Sequence, residues 1–266
     1  MASVAGADPE LGLCDTHAHL SYVEEREGAA RIQEITEAYA GGSAIILDPG
    51  VDFDDFPARK AAFGSLPFVR LAAGIWPDSA SMKAAPERAF TLEEYVRDPA
   101  CVAVGECGLD YHWMNGTREE QERLFRAQAE LAVKYSKPLI VHSRNAHDET
   151  LSIVAAYASK VPVIIHCFGY GRDEAEAYLS AGCWISFAGN VTYKKSADLM
   201  AACAMVPAGR LLLETDSPYM CPEPRRGRNS TPLDIGRTYA AVAALRGSTV
   251  QALSESVAAA SRALFG

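Results

Sequence analysis

Length, composition and charge limit the class of protein. The chain has 266 residues, of which 49% are hydrophobic and 22% are charged, and its formal net charge is −9. These proportions are typical of a globular protein, and the length suits one large domain over residues 1–266. The acidic balance disfavours broad electrostatic capture of nucleic acid, although a nucleic acid held through bound cations is compatible with it.

Targeting signals and disulfides are also not expected. No apolar run approaches the length of a membrane helix, and the first ten residues contain Asp8 and Glu10 but no basic residue. The sequence therefore predicts a cytoplasmic protein that does not bind a membrane. The seven cysteines show no Cys-x-x-Cys spacing, which favours reduced, mostly buried thiols over a disulfide framework or a structural zinc site.

Eight short apolar runs rich in Val, Ile and Leu punctuate the chain. Near-continuous apolarity over so few residues is typical of parallel strands that are buried on both faces. The predicted strands are residues 11–16, 43–49, 68–74, 101–106, 138–142, 161–166, 183–187 and 210–215.

Amphipathic segments between these runs predict helices. The clearest begins with the capping-box pair Thr117 and Glu120 and extends over residues 117–135. Further helices are predicted at residues 146–158, 172–180, 231–245 and 249–264. Strand and helix alternating eight times predict an α/β fold, a (β/α)8 TIM barrel in a single domain. The alternative is an open doubly wound sheet, but the phosphate-binding Gly-x-Gly-x-x-Gly turn after the first strand is absent.

Metal-binding side chains stand at the ends of five of these runs. His17 and His19 follow the first run, and side-chain alternation places both imidazoles on one face. Either histidine alone would be best interpreted as a core residue, but the pattern recurs in Glu106, His142, His166 and Asp216. In a parallel barrel all six side chains would meet at one mouth.

Imidazole and carboxylate ligands suit zinc or manganese, and carboxylates also admit magnesium. Six protein ligands exceed the three that a mononuclear catalytic zinc usually keeps. Two divalent cations are therefore predicted, with a carboxylate such as Glu106 between them.

Two further carboxylates share the strand faces that carry these ligands. By alternation, Asp15 faces the same side as His17, and Glu214 faces the same side as Asp216. Both are expected to accept a hydrogen bond from a ligand imidazole and so to fix its tautomer. The alternative is a buried carboxylate paired with a buried basic group, although Arg210 is the only basic residue in either run.

Other polar residues are weaker candidates. His112 and His147 are expected to be solvated, and Cys107 points away from the interior without a base to activate it. A basic cluster of Arg225, Arg226 and Arg228 follows the last strand. A charged run of this kind is usually a solvated loop, but in an acidic protein it favours phosphate contacts by arginine.

Four motifs in order resemble the TatD family of metal-dependent deoxyribonucleases, which belongs to the amidohydrolase-like superfamily. They are Cys-Asp-Thr-His-Ala-His-Leu at 14–20, Val-Gly-Glu-Cys-Gly-Leu-Asp-Tyr at 104–111, Ile-His-Cys-Phe at 165–168 and Leu-Glu-Thr-Asp-Ser-Pro-Tyr at 213–219. The resemblance covers roughly residues 11–265, and four ordered motifs are far more specific than one.

The resemblance implies a TIM barrel with a two-metal centre. His17, His19 and Asp216 would hold one ion, His142 and His166 the other, and Glu106 would bridge both. It further implies hydrolysis of DNA phosphodiesters, often as a 3′-to-5′ exonuclease on single strands, with Asp216 and Glu106 as catalytic residues and Asp216 taking the proton of the attacking water. The implied partner is single-stranded DNA as substrate, and no protein partner is implied.

The sequence departs from the family pattern at three places that concern substrate, one of which is Gly169-Tyr170-Gly171 after the sixth strand, where the family often has a small hydroxyl residue and Gly. Trp76 stands in Gly-Ile-Trp-Pro where the family commonly has histidine, and either nucleobase stacking or simple packing would suit it. The loop carrying Arg226 and Arg228 is one residue shorter than usual before Pro232, so these two arginines are only candidate phosphate contacts.

Three rival interpretations remain open. A related hydrolase would act on a small-molecule ester, amide or phosphoester, but many such enzymes bridge their metals with a carbamylated lysine where this chain has Glu106. A phosphoesterase of the polymerase-and-histidinol-phosphatase type typically ends in Asp-x-His, which Asp216-Ser217-Pro218 does not match. The last rival is a barrel without catalysis that serves as a binding protein.

Overall fold

In the part of the chain that the structure describes, seven parallel strands form one curled sheet, a half-barrel in which neighbours in sequence are neighbours in space. A computed structural model of the chain describes residues 12–78 and 92–266. The strands are β1 (Ile46–Asp48), β2 (Val69–Ala73), β3 (Cys101–Asp110), β4 (Leu139–Arg144), β5 (Val163–Ile165), β6 (Trp184–Phe187) and β7 (Leu211–Leu213). Every residue of β1, β5 and β7 is buried, as expected for strands covered on both faces. Seven of the eight predicted strands are thus confirmed.

The first predicted strand, residues 11–16, is not regular where it is described. Its described part, from residue 12 onward, forms one isolated bridge, between Asp15 and Ile46, and a second bridge joins Ala18, just beyond it, to Ser217. The N–H of His17, which a regular ladder would use, instead donates to the Asp15 carboxylate at 3.3 Å. This diversion shifts the ladder by one residue, which is the behaviour of a bulge.

The same segment nevertheless contacts both edges of the sheet. The Leu47 N–H of β1 donates to the Asp15 carbonyl at 2.9 Å, and the Thr16 N–H donates to the Leu213 carbonyl of β7 at 3.1 Å. Residues 13–19 therefore lie between the first and last strands, and this position brings His17 and His19 to the carboxyl ends of the strands.

Helices alternate with the strands along the chain. They are α1 (Leu20–Glu27), α2 (Ala29–Tyr39), α3 (Asp55–Phe63), α4 (92–97), α5 (Arg118–Lys134), α6 (His147–Val154), α7 (Arg172–Ser180), α8 (Ala197–Met205), α9 (Ile235–Leu245) and α10 (Val250–Phe265). Five of them confirm the predicted helices, and the capping box of Thr117 and Glu120 opens α5 as expected. Within the residues that are described, no helix is long and apolar enough to cross a membrane.

Glycine permits the close approach of β3 to β4 beside the site. Gly108 has a φ of +141°, and a Cβ at this position would lie 2.0 Å from the carbonyl oxygen of His142. Neither the backbone conformation nor the space admits a side chain. The strand carrying Glu106 can therefore lie directly against the strand carrying His142.

Candidate metal centre

Six side chains from five parts of the chain meet at the carboxyl ends of the strands. Glu106 lies within β3 and His142 within β4, whereas His166 and Asp216 follow β5 and β7. The segment before α1 contributes His17 and His19. All are buried except His142, whose side chain is 17% exposed and marks the side of the cluster that is open to solvent.

Glu106 presents one carboxylate oxygen to each of two histidine pairs. Its Oε2 lies 3.2 Å from His17 Nε2 and 3.6 Å from His19 Nε2. Its Oε1 lies 3.1 Å from His142 Nδ1 and 2.9 Å from His166 Nε2. A carboxylate divided in this way between two sets of nitrogen donors has the arrangement that a bridging ligand requires.

Asp216 completes the donor set on the Oε2 side. Its Oδ1 lies 3.6 Å from His19 Nε2 and 3.9 Å from His17 Nε2, and these two ring nitrogens are 3.3 Å apart. Ligand atoms about 2.1 Å from one ion lie roughly 3.0–3.4 Å apart in octahedral or tetrahedral geometry. The separations in this cluster fit a shared divalent cation with only small shifts.

The distances between ligand atoms divide these side chains into two groups. One group whose ligand atoms all lie within 4.8 Å of each other is His17, His19 and Asp216, and another is His17, Glu106 and His166. His142 falls outside the second group, although its Nδ1 reaches the same Glu106 oxygen as His166 Nε2. His17 belongs to both groups, so the two donor sets adjoin at this ring.

Asp110 orients His142, and sequence reasoning did not identify it. Its Oδ2 lies 3.0 Å from His142 Nε2, which leaves Nδ1 facing Glu106. Its Oδ1 accepts the backbone N–H groups of His112 and Trp113 at 3.0 and 2.9 Å. Strand alternation from Glu106 through Gly108 was the signal that could have revealed Asp110.

Glu214 stands behind a ligand imidazole, whereas Asp15 does not. Glu214 Oε1 lies 3.4 Å from His166 Nδ1 and accepts the Cys167 N–H at 2.6 Å. The Asp15 carboxylate instead accepts hydrogen bonds from the His17 N–H and from both the N–H and the hydroxyl of Thr215. Asp15 thus joins the amino-terminal segment to the chain after β7. The expected bond to an imidazole ring is replaced by bonds to the backbone and to a hydroxyl, because the bulge turns the His17 N–H toward the Asp15 carboxylate.

The charges of the cluster are strongly coupled. Burial raises the pKa of Glu106, but the rings of His166, His142 and His17 outweigh burial and hold that pKa well below its usual range. Burial lowers the pKa of His166, but the Glu106 and Glu214 carboxylates reverse this and raise it well above its usual range. A cation bound to these atoms would therefore compete with protons for them, as in metal sites generally.

The candidate substrate residues lie at different distances from this cluster. Trp76 is half-buried, and its ring meets the His142 ring edge to face at 5.7 Å, which places it at the site. Arg226 and Arg228 are both exposed, and the Arg226 guanidinium lies 4.3 Å from the centroid of the Tyr193 ring. Within the described part of the chain, no hydrogen bond or ion pair joins either arginine to the six clustered side chains.

The structure also places the three weaker candidates, which are His112, His147 and Cys107. His112 is exposed as expected, but His147 is only 19% exposed and packs against the rings of Tyr170 and Tyr178. The Cys107 thiol is buried and donates to the Ile140 carbonyl, and burial raises its pKa well above the usual range. A neutral buried thiol is not a nucleophile.

Tyr219 and Arg26 form an aromatic and arginine pair beside His19. The Tyr219 ring is 6.1 Å from the His19 ring, and the Arg26 guanidinium lies 4.8 Å from the Tyr219 centroid. Tyr219 is 40% exposed, so it forms part of the mouth. Arg26 lies in α1 and has no sequence signal that marks it as part of a site.

Comparison with known proteins gives a consistent family. The family model described as TatD related DNase matches residues 14–266. A 3′-5′ ssDNA/RNA exonuclease TatD from Erwinia billingiae is 37% identical over 199 residues, which are 73% of this chain and 76% of that protein. An uncharacterized metal-dependent hydrolase from Escherichia coli K12, YcfH, is 29% identical over 245 residues, 91% of each chain.

Solved structures agree with the sequence comparisons. The crystal structure of the TatD homologue YjjV from Escherichia coli matches with a TM-score of 0.83 and 25% identity, covering 96% of this chain and 98% of that one. The similarity therefore extends over the curled sheet and its helices as well as the motifs that carry the clustered residues.

Proposed function

The chain belongs to the TatD family of metal-dependent hydrolases, and we propose that it hydrolyses phosphodiester bonds of single-stranded DNA with two divalent cations, zinc, manganese or magnesium. The 3′-to-5′ direction of cleavage is part of this proposal. The observation that carries it is the division of Glu106, whose two oxygens face two separate pairs of imidazole nitrogens.

The proposal assigns each ligand by its neighbours. His17, His19 and Asp216 would hold one ion, His142 and His166 the other, and Glu106 would bridge them. When bound, the two ions supply Lewis acidity that activates water and neutralises charge on the phosphate. Asp110 holds the His142 ring through its 3.0 Å hydrogen bond, and the Glu214 carboxylate lies 3.4 Å from His166 Nδ1, where it would favour the same kind of orientation.

Asp216 is the proposed acceptor of the proton from the attacking water. Burial raises the pKa of this carboxyl, but the rings of His19, His166 and His17 outweigh burial and lower it below its usual range. The group is therefore an ionised carboxylate near neutral pH, which is the form that accepts a proton.

A closed barrel is the proposed architecture around this centre. Residues 13–19 bond to β1 on one side and to β7 on the other, so the segment takes the place of an eighth strand. A single domain that is closed in this way would fix the distance between two histidine pairs. His17 and His19 lie between β1 and β7, whereas His142 and His166 come from β4 and the end of β5 in the middle of the strand order.

The test is hydrolysis of a 3′-labelled single-stranded DNA by chelator-stripped protein, with magnesium, manganese and zinc returned separately. Release of mononucleotides that depends on metal and is absent from Asp216→Ala would support the proposal. The matched RNA strand tests the preference for DNA, because the Erwinia billingiae relative is named for both substrates. Metal binding without release from either strand would overturn it and favour a small-molecule ester, amide or phosphoester as substrate.

A further inference from the structure

An exposed tryptophan follows the strand that carries Glu106 and Asp110, and its ring meets the His112 ring edge to face at 4.9 Å. Trp113 follows β3 in the loop that leads to α5, and 61% of it is exposed, the largest value among the large hydrophobic side chains of the described residues. An exposed indole offers a flat face on which an unpaired base can stack.

The loop that carries Trp113 is tied directly to a metal-site residue. The Asp110 carboxylate binds the His142 ring through Oδ2, and its Oδ1 accepts the Trp113 N–H at 2.9 Å. One carboxylate therefore fixes both a candidate ligand and the backbone that presents the indole. The backbone of Trp113 is thus anchored to the same carboxylate that contacts His142.

An arginine covers one part of the exposed ring. The Arg144 guanidinium lies 5.7 Å from the Trp113 centroid, and Arg144 is exposed. In the ladder between β3 and β4, Arg144 is paired with Asp110, just as His142 is paired with Gly108. Arg144 is thus two residues beyond His142 on the same strand and the same face.

We propose that Trp113 and Arg144 form a nucleotide subsite on the His142 side of the metal centre, where the indole stacks on an unpaired base and the guanidinium binds the adjoining phosphate. The inference rests on the proposed nuclease function and names how that site would hold its strand. Stacking on an aromatic ring is the usual way of binding single strands without sequence preference, and arginine suits the phosphate geometry.

The chain contains a matched control pair at the opposite end of the sheet. The Arg210 guanidinium lies 5.0 Å from the centroid of Trp184, the first residue of β6. Strand direction places this pair at the amino ends of the strands, away from the metal centre. It has the same chemistry as the Trp113 pair and differs in location.

The experiment measures binding by fluorescence anisotropy in the presence of magnesium. The probes are a short labelled oligothymidylate with phosphorothioate linkages, which resist hydrolysis, and an abasic strand of the same length and backbone. Trp113→Ala should weaken binding of the oligothymidylate roughly tenfold and leave the abasic strand unchanged, and Trp113→Phe should restore most of the loss. Arg144→Gln should weaken both strands, whereas Arg210→Gln should weaken neither.

Two outcomes would overturn the subsite. The first is that Trp113→Ala binds both strands with the affinity of the wild type, and the second is that it loses the same affinity for both strands. Either result would show that the indole does not contact a base. The two proposals can fail separately, because hydrolysis by the wild type is measured independently. If the wild type hydrolyses and binds DNA and Trp113→Ala binds it with the same affinity, the subsite alone is refuted. If the wild type neither hydrolyses nor binds DNA, the nuclease function and the subsite are both refuted.

Discussion

Replacing Arg59 tests how the fold supports the start of α1 and therefore His19. The Arg59 side chain is 5% exposed, and its guanidinium contacts the Asp48 carboxylate at 3.1 Å and the Asp55 carboxylate at 2.8 Å. The same group donates to the backbone carbonyls of Asp48 and Ala72. Asp48 in turn accepts the N–H of Leu20, the first residue of α1, at 3.0 Å.

The expected effect of Arg59→Met follows from the charge that it leaves behind. Asp48 is fully buried, so it loses its only described ion-pair partner and becomes an uncompensated buried carboxylate. Breaking a buried pair in this way costs about 3–5 kcal/mol of unfolding free energy. With an unfolding entropy of about 2.1 cal/mol/K per residue, the melting temperature of a chain of 266 residues should fall by roughly 5–9 °C.

The assay is thermal unfolding followed by circular dichroism. The control is Arg118→Met, because the Arg118 pair with Glu149 has a similar distance of 2.8 Å but side chains that are 55% and 34% exposed. An exposed pair contributes about 0–1 kcal/mol, so the control should change little. Equal losses in the two variants would refute the reasoning, and a partial rescue by Asp48→Asn in the Arg59→Met background would support it.

Three further predictions concern the metal centre and the core. Asp110→Asn removes the charge behind His142 and should lower zinc affinity roughly 10- to 100-fold by titration calorimetry, whereas Asp148→Asn, whose carboxylate is 96% exposed, should leave it unchanged. Burial raises the pKa of Cys203 from 9.0 to about 12. As the pH rises above 9, the unfolded chain therefore loses the Cys203 proton before the folded chain does, and the free energy of unfolding decreases with pH. Cys203→Ala should reduce this decrease, measured by urea titrations between about pH 9 and 11. An unchanged dependence of the unfolding free energy on pH would contradict this prediction. Chelation should lower the melting temperature, because a cation at about 100 times its Kd stabilises the folded state by about 2.7 kcal/mol, and an unchanged transition would mean that the cluster binds no metal tightly.

The strand ends were predictable because they follow a simple periodicity. Glu106, His166 and Asp216 each come at or after an apolar run, and parallel strands bring such positions to one edge. The helix α5 was equally accessible, since its cap and its apolar spacing are both local. These features depend only on residues that are close in the sequence.

The residues that sequence reasoning missed depend on contacts between distant parts of the chain. The helix α1 begins without a side-chain cap of its own, and its first N–H is held by Asp48, 28 residues away. The irregular ladder at Asp15 and the link from Asp110 to Trp113 likewise arise from tertiary geometry. Arg26 reaches the mouth only because α1 packs beside Tyr219.

The most direct test of the two-ion account is an anomalous difference map from crystals grown with manganese. Two peaks separated by the Glu106 carboxylate are expected, one bounded by His17, His19 and Asp216 and the other by His142 and His166. A single peak, or a second peak away from His142 and His166, would contradict the bridging role of Glu106 and with it the proposed two-metal hydrolysis.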